Sequence, residues 1–326
     1  MRWSALLVVV LALATAEAHT HAVRRTKQVV KKRSVAVAIT KPAPADPLVK
    51  PETKPEPPVN QFTNDPVVGS AERVVGKHAP GIVAFTFDDG PVPATTPAVL
   101  DALKKYDIPA TFFIVTKHFK GKDKDKAREL LARELAEGHM VGSHTIGHVR
   151  LREVTPKELT QQLDGSFKEL STEAKIPIGL FRAPYGKIGP AARKRLKMLG
   201  VTEVYWSIDT RDWEITHGET LRKSAIKQIV KQNGGVVLMH DAKEVTAKVI
   251  SEVLDDLEAE NCKRLAAKQE PIWPVTLHYF LRDGELPRAV PAEVAKKLDT
   301  YKAALPGRCA AREAAAKPAA AVPAAK

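Results

Sequence analysis

Two neighbouring carboxylates, Asp88 and Asp89, directly follow the apolar run Ile82–Phe87 and precede Gly90 and Pro91. The run of β-branched and aromatic residues is typical of a buried strand. Successive side chains of a strand point to opposite sides, so the two acids would diverge and take different roles. A turn that merely caps the strand explains the Asp-Gly-Pro sequence equally well. The residues that follow favour a chemical role.

Two histidines, His144 and His148, stand four residues apart. This spacing places both imidazoles on one side of a helical turn. With one of the two aspartates they would supply three nitrogen and oxygen ligands and leave a fourth position open for water, as catalytic zinc sites do. Histidine pairs at this spacing are also common as ordinary surface residues. The paired acids and the nearby Gly142 and Gly147 favour the metal site.

The candidate residues are positioned by a regular alternation of strand and helix patterns. Strands are predicted over residues 82–87, 110–115, 140–143, 179–182, 204–209, 236–240 and 273–277. Helices are predicted over residues 97–106, 124–137, 155–174, 190–199, 219–232, 243–265 and 291–305. The third helix opens with a capping box over Thr155–Glu158.

This alternation predicts an α/β fold with a mainly parallel sheet that is either open or closed into a barrel. Polar candidates stand at the ends of five of the strands: Asp88 and Asp89, His144, Arg182, Asp209 and Asp212, and His240. The carboxyl ends of parallel strands share one edge, and ligands bind at that edge. The pattern therefore indicates one site built from five strand ends.

Five segments occur in order: Thr86-Phe-Asp-Asp-Gly-Pro91, Ser143-His-Thr-Ile-Gly-His148, Arg182-Ala-Pro-Tyr185, Asp209-Thr-Arg-Asp-Trp213 and Leu238-Met-His240. Together they resemble the five motifs of the NodB-homology polysaccharide deacetylases, carbohydrate esterase family 4, over about residues 82–277. The resemblance implies a distorted (β/α) barrel of seven or eight mainly parallel strands. It also implies metal-dependent removal of N- or O-acetyl groups from a polysaccharide. Zinc (Zn²⁺) is the expected metal, and cobalt or nickel fits the same ligands.

The resemblance makes Asp89, His144 and His148 the metal ligands and Asp88 the general base. A hydrolase needs one carboxylate on the metal and a second, free one that accepts a proton from water, so the chemistry agrees with this division. Arg182 would pair with Asp88, orient it and keep its pKa low.

The other motif residues would complete the catalytic machinery. His240 would be the general acid that protonates the leaving amine, and Asp212 would raise its pKa and fix its tautomer. The resemblance implies that the backbone N–H of Tyr185 helps to bind the oxyanion. Trp213 would line the sugar cleft or else pack in the interior. Leu238, on the same face of its strand as His240, would line a pocket for the acetyl methyl group or else pack in the core.

The expected substrate is a polymer of N-acetylglucosamine type, such as peptidoglycan or chitin, although another exported amino-sugar polymer or acetylated xylan fits the same motifs. Two other functions stay open. The same chemistry could cleave a small non-sugar amide, for which a lidded pocket would be expected instead of an open groove. A non-catalytic cell-wall or glycan-binding protein on this scaffold would be expected to lack a ligand, the base or the acid, and the sequence lacks none of them.

The amino-terminal residues predict export. Residues 1–18 match a signal peptide, with Arg2, an apolar run too short to span a bilayer, and Ala16-Glu17-Ala18 as the cleavage site. The expected location is secreted or periplasmic, without a membrane span after cleavage. The two cysteines, Cys262 and Cys309, are then expected to form a disulfide.

The remaining boundaries follow from composition. Residues 19–72 form a basic, proline-rich tether, 73–285 the catalytic domain, 286–309 a helical extension and 310–326 an Ala/Lys-rich tail, and the tether and tail are expected to be disordered. The formal net charge of the 326 residues is +13, and part of the excess lies in the tether. The tether could bind an anionic cell-wall polymer or act only as a solvated linker. Export makes a nucleic-acid partner unexpected.

Overall fold

Eight parallel strands form one sheet in the part of the chain that this computed structural model describes, residues 73–76, 79–283 and 286–316. The strands are β1 (Ile82–Asp88), β2 (Ala110–Ile114), β3 (Met140–Ser143), β4 (Leu180–Phe181), β5 (Thr202–Glu203), β6 (Ile208–Asp209), β7 (Gly234–His240) and β8 (Trp273–Pro274). Their order in the sheet is β5-β4-β3-β2-β1-β7-β6, and β8 pairs with the start of β1. The longest pairing in the sheet joins β1 to β7, from Ile82 to Asp88.

Helices connect the strands. They are α1 (Thr96–Lys105), α2 (Lys124–Ala136), α3 (Pro156–Ala174), α4 (Pro190–Met198), α5 (Gly218–Gln232), α6 (Glu244–Ala266) and α7 (Ala292–Ala316). A small antiparallel pair, β9 (Arg282–Asp283) and β10 (Leu286–Pro287), precedes α7. The capping box of α3 is confirmed, because Thr155 accepts a hydrogen bond from the backbone of Glu158 and the Glu158 side chain accepts one from the backbone of Thr155.

The sheet curls into a barrel because its two edge strands are neighbours in sequence. Only residues 204–207 separate β5, at one edge, from β6, at the other. At up to about 3.6 Å per residue, this link spans at most about 18 Å. Val74 pairs with Val204 in the same gap, since its N–H donates to Glu203 and its carbonyl accepts from Tyr205. The predicted distorted (β/α) barrel is confirmed.

The strands alternate two environments along their length. On β1, Val83, Phe85 and Phe87 face outward into the apolar layer beneath the helices. Between them, Ala84, Thr86 and Asp88 share the opposite face, toward the interior of the barrel. The interior is apolar near Ala84 and becomes polar toward the carboxyl end of the strand. The buried charges of the site therefore lie at one end of the barrel.

Two predicted strands differ in the structure. The run 204–209 was expected to be one strand, but only Ile208–Asp209 joins β6, and the preceding residues cross the gap between the edges. The run 273–277 keeps only Trp273–Pro274 as strand, and a 3-10 turn follows over Leu277–Phe280. At residues 204–207, closure of the barrel overrides local strand propensity.

The carboxyl-terminal helix is longer than expected and is fastened to the barrel. Helix α7 continues to Ala316, past the predicted boundary at residue 309. The predicted disulfide between Cys262 on α6 and Cys309 on α7 is confirmed. The predicted signal peptide, the tether and residues 317–326 lie outside the described residues. Within the described ranges, no helix is both long and apolar enough to cross a lipid bilayer.

Candidate active site

The polar residues predicted from the motifs gather at the carboxyl edge of the sheet. Asp88 ends β1 and stands directly opposite His240, which ends the neighbouring strand β7. His144 follows β3, and Arg182 follows β4. Parallel pairing brings all these strand ends to the same edge. The expectation of one site built from several strand ends is confirmed.

The three predicted metal ligands converge there. Nε2 of His148 lies 3.3 Å from Oδ1 of Asp89, and Nε2 of His144 lies 3.6 Å from the same oxygen. One ligand atom from each residue lies within 4.8 Å of the others. Oδ1 of Asp89 is buried and has no hydrogen-bond partner among the described residues. A buried carboxylate oxygen is costly unless it is compensated, so this set fits a divalent cation with an open fourth position.

A turn, not a helix, brings the two histidines together. Strand β3 ends just before His144, and Thr145 and His148 both adopt left-handed conformations, with φ of 71° and 56°. The two imidazole rings lie 5.0 Å apart between centroids. The helical turn expected from the four-residue spacing is therefore wrong, although the residues do meet.

The protonation of both histidines suits a metal. Nδ1 of His144 lies 2.7 Å from the carbonyl oxygen of Arg182, so Nδ1–H donates to it and Nε2 is left to bind the metal. Burial lowers the pKa of His144 to about 3, and burial also lowers the pKa of His148. Both rings are therefore neutral at pH 7, which is the form that binds metal ions.

Asp88 forms a fully buried ion pair with Arg182, with 2.7 Å between Oδ1 and Nη1. The same guanidinium donates to Oγ1 of Thr86 at 2.7 Å and to the carbonyl of Tyr205 at 3.2 Å. The expectation that Arg182 keeps the Asp88 pKa low is wrong. Burial raises the pKa of Asp88, and the opposing charges of Arg182 and His240 do not cancel that effect. A raised pKa brings a general base toward the working pH.

His240 and Asp212 form the second charged pair. Nδ1 of His240 lies 2.7 Å from Oδ1 of Asp212, and the backbone N–H of His240 donates to Oδ2 at 2.7 Å. Thr246 also donates to Oδ2, at 2.6 Å. Burial lowers the pKa of His240, but the hydrogen bond and charge of Asp212 outweigh it and raise the pKa to about 9. His240 is therefore protonated at pH 7 and keeps Nε2 free.

Two aromatic side chains form the exposed rim. Tyr185 is 50% exposed, and its ring packs against His148 with 4.6 Å between centroids. Trp213 is 51% exposed, so the alternative prediction that it packs in the interior is wrong. Leu238 is 4% exposed and lies on the inward face of β7, below His240. Its burial agrees with both roles considered for it.

Asp209 shapes the loop that carries Asp212. Its Oδ1 accepts a hydrogen bond from the backbone N–H of Arg211 at 2.9 Å, and Arg211 adopts a left-handed φ of 58°. Gln228 on α5 donates to the carbonyl of Asp209 at 3.0 Å. These contacts give this motif residue a structural task that the sequence left unassigned.

Two residues that support the site could not be predicted from any motif in the sequence. His118, in the short 3-10 helix Thr116–Phe119 that follows β2, donates from Nε2 to the carbonyl of Asp89 at 2.9 Å. Gln162 on α3 accepts from the N–H groups of Ile146 and Gly147, at 3.1 and 3.0 Å, and holds the histidine turn. Both contacts join residues distant in sequence, so only the barrel topology brings the partners together.

Comparisons with known proteins agree with this geometry. Residues 76–204 match the family model described as polysaccharide deacetylase. The chain is 33% identical over 184 residues to a peptidoglycan-N-acetylglucosamine deacetylase of Bacillus cereus, covering 55% of this chain and 83% of that protein. It is 32% identical over 178 residues to the peptidoglycan-N-acetylglucosamine deacetylase PgdA of Listeria monocytogenes, covering 55% of this chain but only 36% of that protein.

A solved structure shows the same fold. The chitin deacetylase of the fungal pathogen Colletotrichum lindemuthianum superimposes with a TM-score of 0.55 at 26% identity. The match covers 69% of this chain and 98% of that protein. The similarity extends over most of the Bacillus cereus protein. The family-model match includes the metal-ligand candidates Asp89, His144 and His148, and it ends before Asp212 and His240. The resemblance drawn from the five motifs is confirmed: the chain belongs to the polysaccharide deacetylase family.

Proposed function

We propose that the chain is a metal-dependent deacetylase that removes acetyl groups from N-acetylglucosamine units of a polymer such as peptidoglycan or chitin. One observation carries this proposal. A three-residue metal site, Asp89, His144 and His148, lies beside a buried carboxylate, Asp88, and a protonated imidazole, His240. Metal-assisted amide hydrolysis uses a metal site, a general base and a general acid within reach of one bond.

Asp88 is the proposed general base. Its Oδ1 is held by Arg182, while Oδ2 lies 3.7 Å from Nε2 of His144, on the side of the metal site. Oδ2 is therefore the oxygen that can accept a proton from water at that site. As this proton moves to Asp88, the water oxygen forms a bond to the acetyl carbonyl carbon. A divalent cation bound by the three ligands would lower the pKa of water and polarise the carbonyl.

His240 is the proposed general acid. Its Nδ1–H is committed to Asp212, so Nε2–H is the proton that it can donate. Donation to the amide nitrogen makes that nitrogen an amine leaving group, and the bond to the carbonyl carbon breaks. The products are acetate and a free amino sugar. The Asp212 carboxylate stabilises the imidazolium before the transfer and fixes its orientation throughout.

Tyr185 is proposed to act through its backbone. The residue holds a left-handed φ of 58° in the turn after β4, directly beside His148. Its N–H is proposed to donate to the carbonyl oxygen as negative charge develops there, a kind of contact worth about 3 kcal/mol. A backbone donor acts whatever the side chain, so the exposed ring of Tyr185 stays available for the sugar.

A polymer suits the rim better than a small amide does. Tyr185 and Trp213 each expose about half of their surface. Flat exposed aromatic rings pack against the apolar faces of sugars, whereas a small amide would be expected in a lidded pocket. A non-catalytic glycan-binding role explains less, since every ligand, base and acid residue is in place.

Zinc is the proposed metal, since two neutral imidazoles and one carboxylate are one of its common catalytic ligand sets. Cobalt or nickel would occupy the same ligands. We also propose that the protein is secreted or periplasmic, which the Cys262–Cys309 disulfide supports because disulfides persist in oxidising compartments. An anionic cell-wall polymer is the proposed partner of the basic tether.

Acetate release from peptidoglycan, chitin oligomers, acetylated xylan and a small acetamide tests the function directly. We expect release from an amino-sugar polymer, loss of release after chelation, and its return with added Zn²⁺. His144→Ala should lose bound metal and acetate release together. The exposed His217 provides the matched control, and His217→Ala should keep both. Full activity after exhaustive chelation would contradict the proposal.

A further inference from the structure

Asp241 is a buried carboxylate that has no task in the mechanism above. It follows His240 at the end of β7 and has no exposed surface. Its Oδ2 accepts a hydrogen bond from Oγ1 of Thr96 at 2.5 Å. Its Oδ1 has no hydrogen-bond partner within the described part of the chain. Burying a carboxylate with one oxygen unpaired opposes folding, so stability does not explain this residue.

The carboxylate of Asp241 packs on Gly90, the residue that follows the metal-ligand candidate Asp89. A Cβ atom placed on Gly90 would lie 2.0 Å from Oδ2, 2.6 Å from Cγ and 2.6 Å from Oδ1 of Asp241. These are its three nearest neighbours, and all belong to one side chain. Asp241 therefore occupies the space that a side chain at position 90 would need.

The same carboxylate holds the far end of this turn through Thr96. Oγ1 of Thr96, at the start of α1, accepts a hydrogen bond from the N–H of Val92 at 2.8 Å while it donates to Asp241. On the opposite side, the carbonyl of Gly90 accepts from the N–H of Val115 at 3.1 Å. The turn from Gly90 to Val92 is thus fixed between β2 and the end of β7.

The turn needs this support because of the conformation of Asp89. Its φ of 79° lies in the left-handed region, which residues other than glycine rarely adopt. Such a conformation persists only where surrounding contacts enforce it. A relaxed Asp89 would swing its carboxylate away from the two histidines.

We propose that Asp241 is a positioning residue, which holds the turn Gly90–Val92 so that Asp89 faces His144 and His148. By the same contact it fixes the metal site relative to the strand end that carries His240. This inference rests on the proposed metal site and extends it to a residue outside the five motifs. It does not require Asp241 to touch either metal or substrate.

A double-mutant cycle with cobalt as the probe tests the contact. Apo forms of the full chain carrying Gly90→Ala, Asp241→Gly or both changes are titrated with Co²⁺, and the visible absorption of the bound ion is recorded. We expect each single change to weaken Co²⁺ binding at least about tenfold and to alter the spectrum. In the double variant the added methyl group lies where the carboxylate was removed. Its loss should therefore be smaller than the product of the two single losses.

Two control variants separate positioning from general damage. Gly121→Ala adds a methyl group where nothing lies within 4 Å, and it should leave the affinity and the spectrum unchanged. Asp241→Asn keeps the shape of the side chain and an acceptor for Thr96, so we expect binding within about threefold of the unaltered chain. It also tests the proposal if the Gly90→Ala chain does not fold.

The outcomes distinguish this inference from the proposed function. If the unaltered chain does not bind Co²⁺, the metal-dependent function fails. If the unaltered chain binds Co²⁺ and the affinity loss of the double variant equals the product of the two single losses, only the positioning role is overturned. The same holds if Asp241→Gly leaves the spectrum unchanged. A tenfold loss in Asp241→Asn would also overturn it, because charge and not shape would then be the cause.

Discussion

The carboxylate of Asp212 binds His240 at two points, accepting the ring Nδ1–H on one oxygen and the backbone N–H on the other, each at 2.7 Å. The imidazole therefore cannot rotate without losing the partner that keeps it charged. Because both contacts come from one buried side chain, the orientation and the acidity of His240 depend on the same residue.

The pH dependence of activity should report this contact. A pKa of about 9 means that His240 keeps its proton below pH 9 and loses it above, so kcat/KM should fall as the pH rises through about 9. In Asp212→Asn the ring loses its ion-pair partner, and this alkaline limb should move down by about 1–3 pH units. Asp209→Asn is the matched control and should not move it, because the amide oxygen of Asn can still accept the hydrogen bond from the backbone N–H of Arg211 and so keep the loop that carries Asp212. An unmoved limb in Asp212→Asn would exclude His240 as the acid.

The two neighbouring aspartates should separate into different phenotypes. Asp88→Asn removes the proposed base, and we expect kcat to fall about 10²–10⁴-fold while the metal content per chain is unchanged. Asp89→Asn removes a ligand and should lower the metal content itself. Elemental analysis after dialysis, beside steady-state kinetics, makes the comparison. Equal loss of metal in both variants would show that Asp88 is not a separate base.

Loss of one partner of the buried ion pair should destabilise the protein more than loss of both partners. Arg182→Met leaves Asp88 buried without its cationic partner and should lower the free energy of unfolding by about 3–5 kcal/mol. Adding Asp88→Asn to that variant removes the uncompensated charge and should recover part of the loss. Urea unfolding of the single and double variants measures both. A double variant less stable than Arg182→Met would contradict this account.

Removal of the disulfide should destabilise the chain moderately. The bridge joins cysteines 47 residues apart, and a loop of that length corresponds to about 4 kcal/mol in the chain-entropy model. Helix α7 keeps two further ties, from Arg308 to Glu258 at 2.8 Å and from Arg312 to Asp255 at 2.6 Å. We therefore expect the double Cys→Ser variant to unfold at lower urea but to retain acetate release. Two alkylatable thiols in the native protein would show that the bridge is not formed.

The sequence predicted the order of the main elements and the gathering of the site at one edge, because both follow from local patterns. Runs of apolar and β-branched residues such as Ile82–Phe87 indicate strands buried on both faces, and parallel pairing then brings their ends together. The roles of the gathered residues stay predictions until the variants are measured. The pKa of Asp88 could not be predicted in direction, since it depends on how deeply the strand end is buried.

The features that could not be predicted from the sequence depend on closure of the barrel. Residues 204–209 have the composition of one strand, yet residues 204–207 cross from one edge of the sheet to the other and only Ile208–Asp209 form strand β6. The partners of Asp241 and Gln162 are likewise set by topology, since no local pattern relates Gly90 to Asp241 or Ile146 to Gln162. A single sequence contains such contacts only implicitly.

The gap between β5 and β6 has a consequence for how the barrel fluctuates. No ladder of backbone hydrogen bonds joins these two strands directly in the described sheet, and the guanidinium of Arg182 reaches the carbonyl of Tyr205 within the gap while it holds Asp88. Local opening of the barrel at this gap would therefore also move the guanidinium of Arg182 away from Asp88. The backbone N–H of Tyr205 donates to the carbonyl of Val74. The hydrogen-exchange rate of this amide would therefore report how often the gap opens and how often Arg182 leaves Asp88.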